Sequence, residues 1–418
     1  MIKLLYHLGI HLYGWTLQLA AAFHPKAKKW VKGRKAWKVS LKNNLPLKSQ
    51  WMWIHCASLG EFEQARNLIE YVKNDHPEIG ILLSFFSPSG YEIRKNYAHA
   101  DHICYLPLDT ARNARSFIDI VKPSLVFFVK YELWINYLNE LERRNIPTIL
   151  LSARLREKSS FFNSPLATLY KRIFRSFYMI FTQDEITKQL IQNFSGTENV
   201  QVSSDTRYDR VLANKDAFQE IPEIQRFKRG RLCIIAGSSW PKGEELLMQA
   251  FEELSKEEDI CLILAPHEIR ESRISAWELK YPNQSRRFSQ IAELKDTDSI
   301  LWIDNIGMLS RLYHYGDIAY VGGGWGTGLH NILEAATFGC PVLIGPIHDK
   351  FPEAGEMMEA GGCFEVKDIH TMKSQLKRLL ESAELRASIN RINKDFIAER
   401  SGATEMVISW MKEKEFIS

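Results

Sequence analysis

From Trp51 onward, short apolar runs alternate with amphipathic segments. The first apolar runs predict strands at Trp51–Cys56, Ile81–Phe86, Ile103–Leu106, Leu125–Val129, Thr148–Leu151 and Met179–Phe181. The amphipathic stretches between them predict helices, among them Glu61–Asn74, Ala111–Val121 and Trp134–Arg144. Apolar strands that alternate with helices indicate an α/β fold in which helices cover both faces of a parallel sheet.

The alternation stops between about residues 206 and 230, where charged residues dominate, and then resumes. The later apolar runs predict strands at Leu232–Ala236, Cys261–Ala265, Ile300–Ile303, Ile318–Val321 and Val342–Ile344. We therefore divide the 418 residues into an N-terminal segment (1–48), a Rossmann-like domain (49–205), a linker (206–230) and a second Rossmann-like domain (231–418). Ligands of such sheets bind beyond the carboxyl ends of the strands, so we expect a site in a central cleft that both domains face.

The N-terminal segment begins with an uncharged, largely apolar stretch, Leu4–Phe23. As a helix it has a length of about 30 Å, which matches a bilayer core. His7, His11 and Gln18 recur at helical spacing, which suits a helix that lies in the membrane interface or spans the membrane marginally. We expect this helix to be a membrane tether that takes no part in catalysis. A cleaved signal peptide and a buried helix are the competing interpretations.

Positive charge is concentrated directly after this stretch. Nine basic residues lie between this stretch and the first acidic residue, Glu61: Lys26, Lys28, Lys29, Lys32, Arg34, Lys35, Lys38, Lys42 and Lys48. Cations that flank an apolar helix stay on the cytoplasmic side and attract anionic lipids. The formal net charge of the whole chain is only +4, too small to indicate a nucleic-acid partner.

The sequence gives little indication of metal or disulfide chemistry. Its six cysteines are scattered without a C-x-x-C pair, which favours free thiols in a reducing compartment. Asp296-Thr297-Asp298 has the spacing of an Asp-x-Asp metal motif, but it precedes its strand among other charged residues, so we interpret it as a solvated loop. We predict no metal site and no cofactor.

A glycine-rich loop follows the predicted strand Ile318–Val321 and has five glycines before His330, where we expect a helix to begin. Such a loop followed by a helix N-terminus presents free backbone N–H groups to an anion, and the Glu334 carboxylate suits a ribose diol. The candidate nucleotide contacts here are Gly322, Gly323, Gly324, His330, Asn331 and Glu334. The loop lacks G-x-G-x-x-G and G-x-x-x-x-G-K-[ST], which argues against a dehydrogenase or a P-loop enzyme. A purely structural glycine turn is the alternative.

Two further strand ends in the second domain carry candidate donor contacts. These residues are Gly237, Ser238, Ser239, Trp240, Pro266 and His267. Small residues between a strand end and a helix start suit a phosphate or a nucleotide. Serine before proline at a helix start is also ordinary capping chemistry.

The first domain has a carboxylate after each of two predicted strands, Glu61 and Glu132. Their position at the rim of the sheet favours a catalytic role. The alternative for Ser58-x-x-Glu61 is a capping box, in which both side chains only satisfy the backbone. For Glu132 the alternative is an acidic residue that stabilises a helix start.

These segments resemble, in the same order, motifs of the 3-deoxy-D-manno-octulosonic acid (Kdo) transferases, which are GT-B enzymes of lipopolysaccharide assembly. The likeness extends from the N-terminal segment to about residue 360. The matching segments are His55–Glu61 (A-S-x-G-E), Glu132–Trp134 (E-L-W), Ser152–Leu155 (N-A-R-L), Gly237–Trp240 (G-S-T-H or G-S-T-W), and His330–Glu334 with Phe338–Val342 and Gly345-Pro346.

Two segments depart from the family pattern. Ala265-Pro266-His267-Glu268 omits the arginine of A-P-R-H. The family's G-N-L-K-F-D appears as Ser204-Asp205-Thr206-Arg207-Tyr208-Asp209, so we assign Arg207 to the donor phosphate in place of the lysine.

The resemblance implies metal-independent, inverting transfer of Kdo from CMP-Kdo to a lipid A precursor (lipid IVA) at the cytoplasmic face of the inner membrane. It also implies a GT-B fold with Glu61 as general base and Glu132 as a second catalytic residue. We assign acceptor binding to Ser58, Gly60, Ser87 and Arg154. The alternatives are a GT-B enzyme with a UDP-sugar donor, either another glycosyltransferase or a nucleotide-sugar epimerase, and a non-enzymatic sugar-binding protein.

Overall fold

The computed structural model describes residues 2–157, 159–326 and 328–418. The chain forms two compact units, the first made of Met1–Arg210 with Ser401–Ser418 and the second of Val211–Arg400. Each unit contains a seven-stranded sheet whose neighbouring strands are all parallel. The expectation of two Rossmann-like parallel sheets is therefore confirmed.

The sheet of the first unit has the order β3-β2-β1-β4-β5-β6-β7. Its strands are β1 (Gln50–Cys56), β2 (Ile79–Phe85), β3 (His102–Tyr105), β4 (Leu125–Val129), β5 (Thr148–Ala153), β6 (Met179–Thr182) and β7 (Val200–Val202). Its helices are α1 (Ile2–Ala20), α2 (Pro25–Gly33), α3 (Trp37–Asn44), α4 (Leu59–Asp75), α5 (Pro88–Arg94), α6 (Ala111–Val121), α7 (Ile135–Arg143), α8 (Ser160–Asn163), α9 (Ala167–Ser176) and α10 (Glu185–Ser195), followed by α11 (Thr206–Asp216), which crosses into the second unit.

Helices cover both faces of this sheet because its strands are apolar on both sides. Trp53 and Phe128 belong to one buried cluster, whereas Ile54 and Phe127 belong to a second cluster on the opposite face. Successive residues of a strand point to opposite faces, so a strand between two helix layers must be apolar throughout. This is the pattern from which the strands were predicted.

The sheet of the second unit has the order β10-β11-β9-β8-β12-β13-β14. Its strands are β8 (Leu232–Ser239), β9 (Ile260–Pro266), β10 (Ser285–Arg287), β11 (Ile300–Trp302), β12 (Ile318–Val321), β13 (Val342–Ile344) and β14 (Cys363–Glu365). The helices are α12 (Pro222–Lys228), α13 (Pro241–Leu254), α14 (Glu271–Lys280), α15 (Leu309–Leu312), α16 (Leu333–Thr337), α17 (Pro352–Glu359), α18 (Ile369–Glu381) and α19 (Ala383–Glu399), with 3-10 turns at Phe288–Glu293 and Tyr313–Tyr315; α20 (Ala403–Glu413) follows in the first unit.

The segment interpreted as a linker, 206–230, is largely helical, because α11 and α12 occupy most of it. Each helix buries only a few side chains, such as Val211 and Phe227. That is too few apolar residues to form a periodic pattern in a charged sequence.

The last 18 residues, Ser401–Ser418, pack with the first unit, although the sequence assigned them to the second domain. Val407 and Met411 of α20 join the buried cluster that contains Ile54. The Asp209 carboxylate accepts hydrogen bonds from the backbone N–H groups of Gly402 and Thr404, both at 2.6 Å. These contacts join residues about 200 positions apart, so no local pattern predicts them.

Helix α1 packs against the first unit along one face. The Tyr6 hydroxyl donates to the buried Asp109 carboxylate at 2.5 Å, and the Tyr13 ring stacks on Phe86 with centroids 6.2 Å apart. Asp109 also accepts the backbone N–H groups at the start of α7. Helix α1 is therefore part of the unit that carries Glu61, whereas residues 1–48 were predicted to form a segment of their own; the role of α1 as a membrane tether stays a prediction. Over the described ranges, no helix combines the length and hydropathy needed to cross a bilayer.

Candidate active site

The candidate residues of the first unit lie at one edge of its sheet. Strands β2, β1, β4 and β5 are neighbours and run parallel, so their carboxyl ends are side by side. The loops and helix starts that follow them carry all the catalytic and acceptor-binding candidates, namely Ser58, Gly60, Glu61, Ser87, Glu132 and Arg154. The topology thus brings together residues that are almost 100 positions apart in sequence.

Glu61 lies in the first turn of α4 and is only 7% exposed. Its Oε2 atom accepts hydrogen bonds from the backbone N–H of Ser58 at 2.8 Å and from the Ser58 hydroxyl at 3.3 Å. The capping box that was the alternative interpretation is therefore present. Its geometry uses one carboxylate oxygen, and Oε1 accepts no hydrogen bond from the residues that the structure describes. Capping and catalysis are compatible at this residue.

The environment of Glu61 raises its pKa from the ordinary carboxyl range to about 7. Burial is the largest cause, and the negative charge of Glu132 is the second. The hydrogen bonds from Ser58 and the positive charge of Lys130 act in the opposite direction. A carboxylate with a pKa near neutrality is suited to accept a proton from a hydroxyl group and to release it again.

Glu132 is held by two aromatic side chains. The Trp134 indole N–H donates to Glu132 Oε2 at 2.8 Å and also approaches His55 Nε2 at 3.1 Å. The buried His55 ring lies 3.5 Å from the same carboxylate oxygen, and its Nδ1 atom contacts the Ser84 carbonyl at 3.1 Å. A neutral His55 ring that accepts a hydrogen bond from Trp134 at Nε2 carries its proton on Nδ1, where it can donate to the Ser84 carbonyl.

We expect turnover to depend on pH through the Glu61–Glu132 pair. A general base must be ionised, so kcat should rise with pH through an inflection near the Glu61 pKa of about 7. In Glu132→Gln the negative charge is removed and the Glu61 pKa falls, so the inflection should move to lower pH whatever the residual rate. Steady-state rates from pH 5 to 9 measure this inflection. An inflection unchanged by the substitution would contradict the pairing of the two carboxylates.

The remaining first-unit candidates have structural partners of their own. Ser87 caps α5 by accepting the Ser89 backbone N–H at 3.3 Å, and Arg154 lies 3.8 Å from the Asp184 carboxylate. Arg207, assigned to the donor phosphate, lies in the first unit and contacts the buried Asp205 carboxylate at 2.8 Å. Its guanidinium is therefore already paired with an acidic side chain.

In the second unit, three predicted donor residues form an aromatic cluster at the carboxyl ends of β8, β9 and β12. The Trp240 indole N–H donates to His330 Nε2 at 3.0 Å. The His267 ring stacks on Trp240 with centroids 4.8 Å apart and lies 4.4 Å from the His330 ring. Burial, and secondly the neighbouring His267, lower the pKa of His330 to about 4, so His330 is neutral near pH 7. We call these three residues the donor-side aromatic cluster.

The glycines of the loop after β12 are required by the packing of the backbone. A methyl group at Gly322, Gly323 or Gly324 would overlap with the backbone of Ser238, Gly328 or Gly345, respectively. Gly323 also has a φ of +97°, a conformation that other residues rarely adopt. The structural alternative therefore accounts for these three glycines, and the glycine count does not indicate a ligand. Gly237 is explained in the same way by the Tyr313 side chain.

The helix after this loop begins at Leu333, three residues later than His330, where the sequence predicted it. The His330 backbone N–H donates to the Gly322 carbonyl, which holds this residue in the loop. Asn331 Oδ1 accepts the Leu333 backbone N–H at 3.3 Å, and Asn331 Nδ2 donates to Glu334 Oε1 at 3.1 Å. Glu334 is thus in the first turn of a five-residue helix and is oriented by Asn331.

The turn after β8 is anchored by a buried carboxylate. Ser238 has a φ of +47°, and the Ser239 hydroxyl donates to Glu244 Oε1 at 2.6 Å. Glu244 is fully buried and pairs with Arg273. The His267 backbone N–H donates to the Ser239 carbonyl, which joins the residue after Pro266 to this turn. These contacts fix the two strand ends that carry Trp240 and His267.

Sequence reasoning missed three features of these edges. It did not assign His55 or Trp134 to the site, although both lie within the quoted motifs. It also left out the loop after β13, where the Ile347 backbone N–H donates to the Gly324 carbonyl and His348 contacts Glu365 at 2.8 Å. The Gly345-Pro346 pair directly after a strand was the available signal for this loop.

One of the two aspartates of the Asp-x-Asp segment, Asp298, forms a buried ion pair. Asp298 is buried and contacts Arg286 at 3.1 Å, so the interpretation of a solvated loop holds only for the exposed Asp296. Among the described residues, no group of three or more His, Cys, Asp and Glu side chains has the arrangement of a metal site.

Comparison with known proteins agrees with the two-unit architecture. A family model described as 3-deoxy-D-manno-octulosonic-acid transferase (kdotransferase) matches residues 29–210, and a model described as glycosyl transferases group 1 matches residues 218–396. The 3-deoxy-D-manno-octulosonic acid transferase of Haemophilus influenzae is 28% identical over 372 residues, which cover 87% of both chains. That of Aquifex aeolicus is 29% identical over 79% of this chain and 86% of its own length.

Solved structures with low sequence identity share the fold. The UDP-GlcNAc 2-epimerase of Neisseria meningitidis, bound to UDP-GlcNAc, is 14% identical and aligns with a TM-score of 0.61 over 87% of this chain and all of its own. A glycosyltransferase of Rickettsia africae aligns with a TM-score of 0.56 at 12% identity, over 88% of this chain and 99% of its own. These likenesses support the α/β fold of the GT-B type. The Kdo-transferase family model over residues 29–210, the glycosyltransferase model over residues 218–396 and the relatives that match over most of their length lead to one conclusion: this chain is similar to the 3-deoxy-D-manno-octulosonic acid transferases along most of its length.

Proposed function

We propose that the protein is a glycosyltransferase that transfers Kdo from CMP-Kdo to a hydroxyl group of a lipid A precursor, with inversion at the anomeric carbon. The observation that carries this proposal is Glu61, a buried carboxylate with a pKa of about 7 whose Oε1 atom accepts no hydrogen bond from the described residues, as suits a general base. The likeness to the Haemophilus influenzae and Aquifex aeolicus relatives, which are named for Kdo transfer, supports Kdo as the transferred sugar.

In the proposed reaction, Glu61 Oε1 takes the proton of the acceptor hydroxyl while that oxygen attacks the anomeric carbon of Kdo. The bond from this carbon to the phosphate oxygen breaks, and CMP leaves with the electron pair. Protonated Glu61 then releases its proton to solvent. Burial and the charge of Glu132 raise the pKa of Glu61, which makes this carboxylate a stronger base than one in water.

The second unit is the proposed donor site. Its aromatic cluster of Trp240, His267 and His330 offers flat faces against which a cytosine ring can stack. Asn331 orients the Glu334 carboxylate for the ribose hydroxyls. His330 is neutral at physiological pH, so its contribution to the donor is a hydrogen bond or a stacking face rather than a positive charge.

Product analysis tests the proposal directly. Purified enzyme is incubated with CMP-Kdo and tetra-acylated lipid A precursor in detergent, and the lipid product is analysed by mass spectrometry. We expect the mass of one or more Kdo residues to be added and CMP to be released in the same amount. Binding of UMP in preference to CMP, together with no Kdo transfer, would favour the UDP-sugar alternative instead.

We also propose that α1 lies on the cytoplasmic face of the inner membrane. Its outer face exposes Leu4, Leu8, Leu12, Trp15 and Leu19, each between 59% and 74% exposed. Their spacing of three or four residues forms one apolar stripe, and the exposed lysines of α2 follow it directly. An amphipathic helix with adjacent cations fits the surface of an anionic bilayer.

Vesicle flotation measures this membrane association. Leu8→Glu with Leu12→Glu should lower the partition onto vesicles with anionic lipid by roughly 10²- to 10⁴-fold, because each of the two buried leucines contributes roughly 1.5–3 kcal/mol. High salt should weaken wild-type binding by screening the lysines. Leu279→Glu is the control, since Leu279 is 82% exposed on α14 of the other unit. Equal flotation of the stripe variant and the control would rule out this role of α1.

A further inference from the structure

A column of three aromatic rings connects α1 to the Glu132 carboxylate. Tyr13 of α1 stacks on Phe86 with an interplanar angle of 21° and a centroid distance of 6.2 Å. Phe86, directly after β2, packs on the Trp134 ring at 4.6 Å. The Trp134 indole N–H then donates to Glu132 at 2.8 Å. We call Tyr13, Phe86 and Trp134 the aromatic column.

Other contacts keep Phe86 in place. Trp30 of α2 meets its ring edge-on at 5.7 Å, and the Arg34 guanidinium lies 5.0 Å above its centroid. Arg34 also donates to the Phe86 carbonyl at 2.8 Å and to the Leu106 carbonyl at 2.8 Å. Phe86 therefore contacts both the N-terminal segment and Trp134.

We propose that Trp134 is a positioning residue for Glu132, and that α1 holds Trp134 in place through Tyr13 and Phe86. The inference rests on the proposed function, because positioning matters only if the Glu61–Glu132 pair acts in catalysis. Trp134 does not reach the reacting atoms in this role. Its indole N–H fixes the direction of the carboxylate, and the ring column fixes the indole.

The pKa of Glu61 depends on the position of Glu132, because the negative charge of Glu132 raises it. A change in the Glu61 pKa therefore indicates that the Glu132 carboxylate has moved. The groups that face Glu61 are Cys56 of β1, the Ser58 cap, and Lys130, Tyr131 and Glu132 after β4. If Glu132 loses its partner and turns away, the raising effect of its charge on the Glu61 pKa decreases. The positive charge of Lys130 then acts with less opposition, and the Glu61 pKa falls.

Three variants and one control separate hydrogen bonding from packing. Trp134→Phe keeps a six-membered ring against Phe86 and removes the N–H donor together with the pyrrole half of the indole, so kcat should fall by roughly 10- to 100-fold, the scale of a misplaced catalytic group. Tyr13→Ala removes the end of the column and should lower kcat by about three- to tenfold. Tyr13→Phe keeps the ring, so its kcat should equal that of the wild type. Tyr178→Ala is the matched control, because Tyr178 is 46% exposed against 41% for Tyr13 and meets Trp410 edge-on, away from the column.

The assay uses full-length enzyme and acceptor in detergent, so that membrane binding is not limiting. The pH inflection of kcat should move below its wild-type value in Trp134→Phe and in Tyr13→Ala, and stay unchanged in Tyr13→Phe and Tyr178→Ala. A purely structural contribution would lower the thermal midpoint or the fraction of active enzyme without moving this inflection. An unchanged inflection and kcat in Trp134→Phe would overturn the proposal.

A second measurement does not depend on turnover. The carboxyl carbon-13 signal of Glu61, assigned by its loss in Glu61→Gln, should titrate at lower pH in Trp134→Phe than in the wild type. A shifted titration in an enzyme that transfers no Kdo would overturn the proposed function while supporting the positioning of Glu132. An unshifted titration in an active enzyme would overturn the positioning and leave the proposed function intact.

Discussion

Glu61→Gln should lower kcat by roughly 10²-fold or more, the range expected for the loss of a general base. Glutamine has nearly the same shape, and its side-chain oxygen accepts the Ser58 backbone N–H as the carboxylate does now at 2.8 Å. The cap of α4 is thereby retained, and the substitution removes only the proton acceptor. Single-turnover rates with saturating CMP-Kdo and detergent-dispersed acceptor measure the effect.

The capping and catalytic interpretations of Glu61 differ in their consequences. Loss of the cap alone would lower the free energy of unfolding by about 1 kcal/mol and leave turnover per folded molecule unchanged. Glu63→Gln is the control on the same helix, where Glu63 pairs with Arg94 at 2.7 Å and lies outside the proposed site. CMP affinity should be unaffected in both variants. Turnover of Glu61→Gln equal to that of Glu63→Gln would leave capping as the whole role of this residue.

Glu334→Ala should weaken CMP binding by roughly 1.5–3 kcal/mol, the scale of hydrogen bonds to a charged group. The Glu334 side chain is half-buried and oriented by Asn331, so its geometry is set before the nucleotide arrives. Such preorganisation allows the carboxylate to contribute its full hydrogen-bond energy to the ribose. Calorimetric titration of CMP into both proteins measures the difference.

The same titration checks the placement of the ribose. Glu381→Ala is the matched control, since Glu381 ends α18 in the same unit and pairs only loosely with Lys377 at 3.7 Å. 2′-Deoxy-CMP should bind the wild type more weakly than CMP if Glu334 accepts the 2′-hydroxyl, and the two nucleotides should bind alike in Glu334→Ala. CMP affinity that is unchanged in Glu334→Ala while transfer is lost would place the ribose elsewhere.

Local patterns predicted most of the sheet framework correctly. The strands β4, β12 and β13 begin and end at the predicted residues, because continuous apolar runs are a property of strands buried on both faces. The three strands that were missed, β7, β10 and β14, have only three residues each and are incompletely buried. Parallel topology then predicted that the loops after the strands would share an edge, which is why Glu61 and Glu132 were identified together.

The glycines of the second unit show whether a position needs a small residue, but not whether a ligand or the backbone occupies the space beside it. The glycines of the loop after β12 were interpreted as room for a ligand, whereas Gly322 and Gly324 make room for the backbone of Ser238 and Gly345. Those partners are 84 and 21 residues away in the chain. A sequence shows that a glycine is present but not which atom lies where its Cβ would be, so the two interpretations cannot be separated at that level.

The amino-acid order thus specified the strands, the rim on which chemistry is expected, and the family motifs, because each depends on residues near one another in the chain. The pKa of Glu61 depends on the charge of Glu132, a residue far away in the chain. The packing of Tyr13 on Phe86 and of Phe86 on Trp134 likewise joins residues that are far apart in the chain. Tyr13, Phe86 and Trp134 lie on three separate elements, and no periodicity connects them. Their contact exists because the β2 and β4 ends share one edge of the sheet and α1 packs beside it, an arrangement that arises only when the whole unit folds.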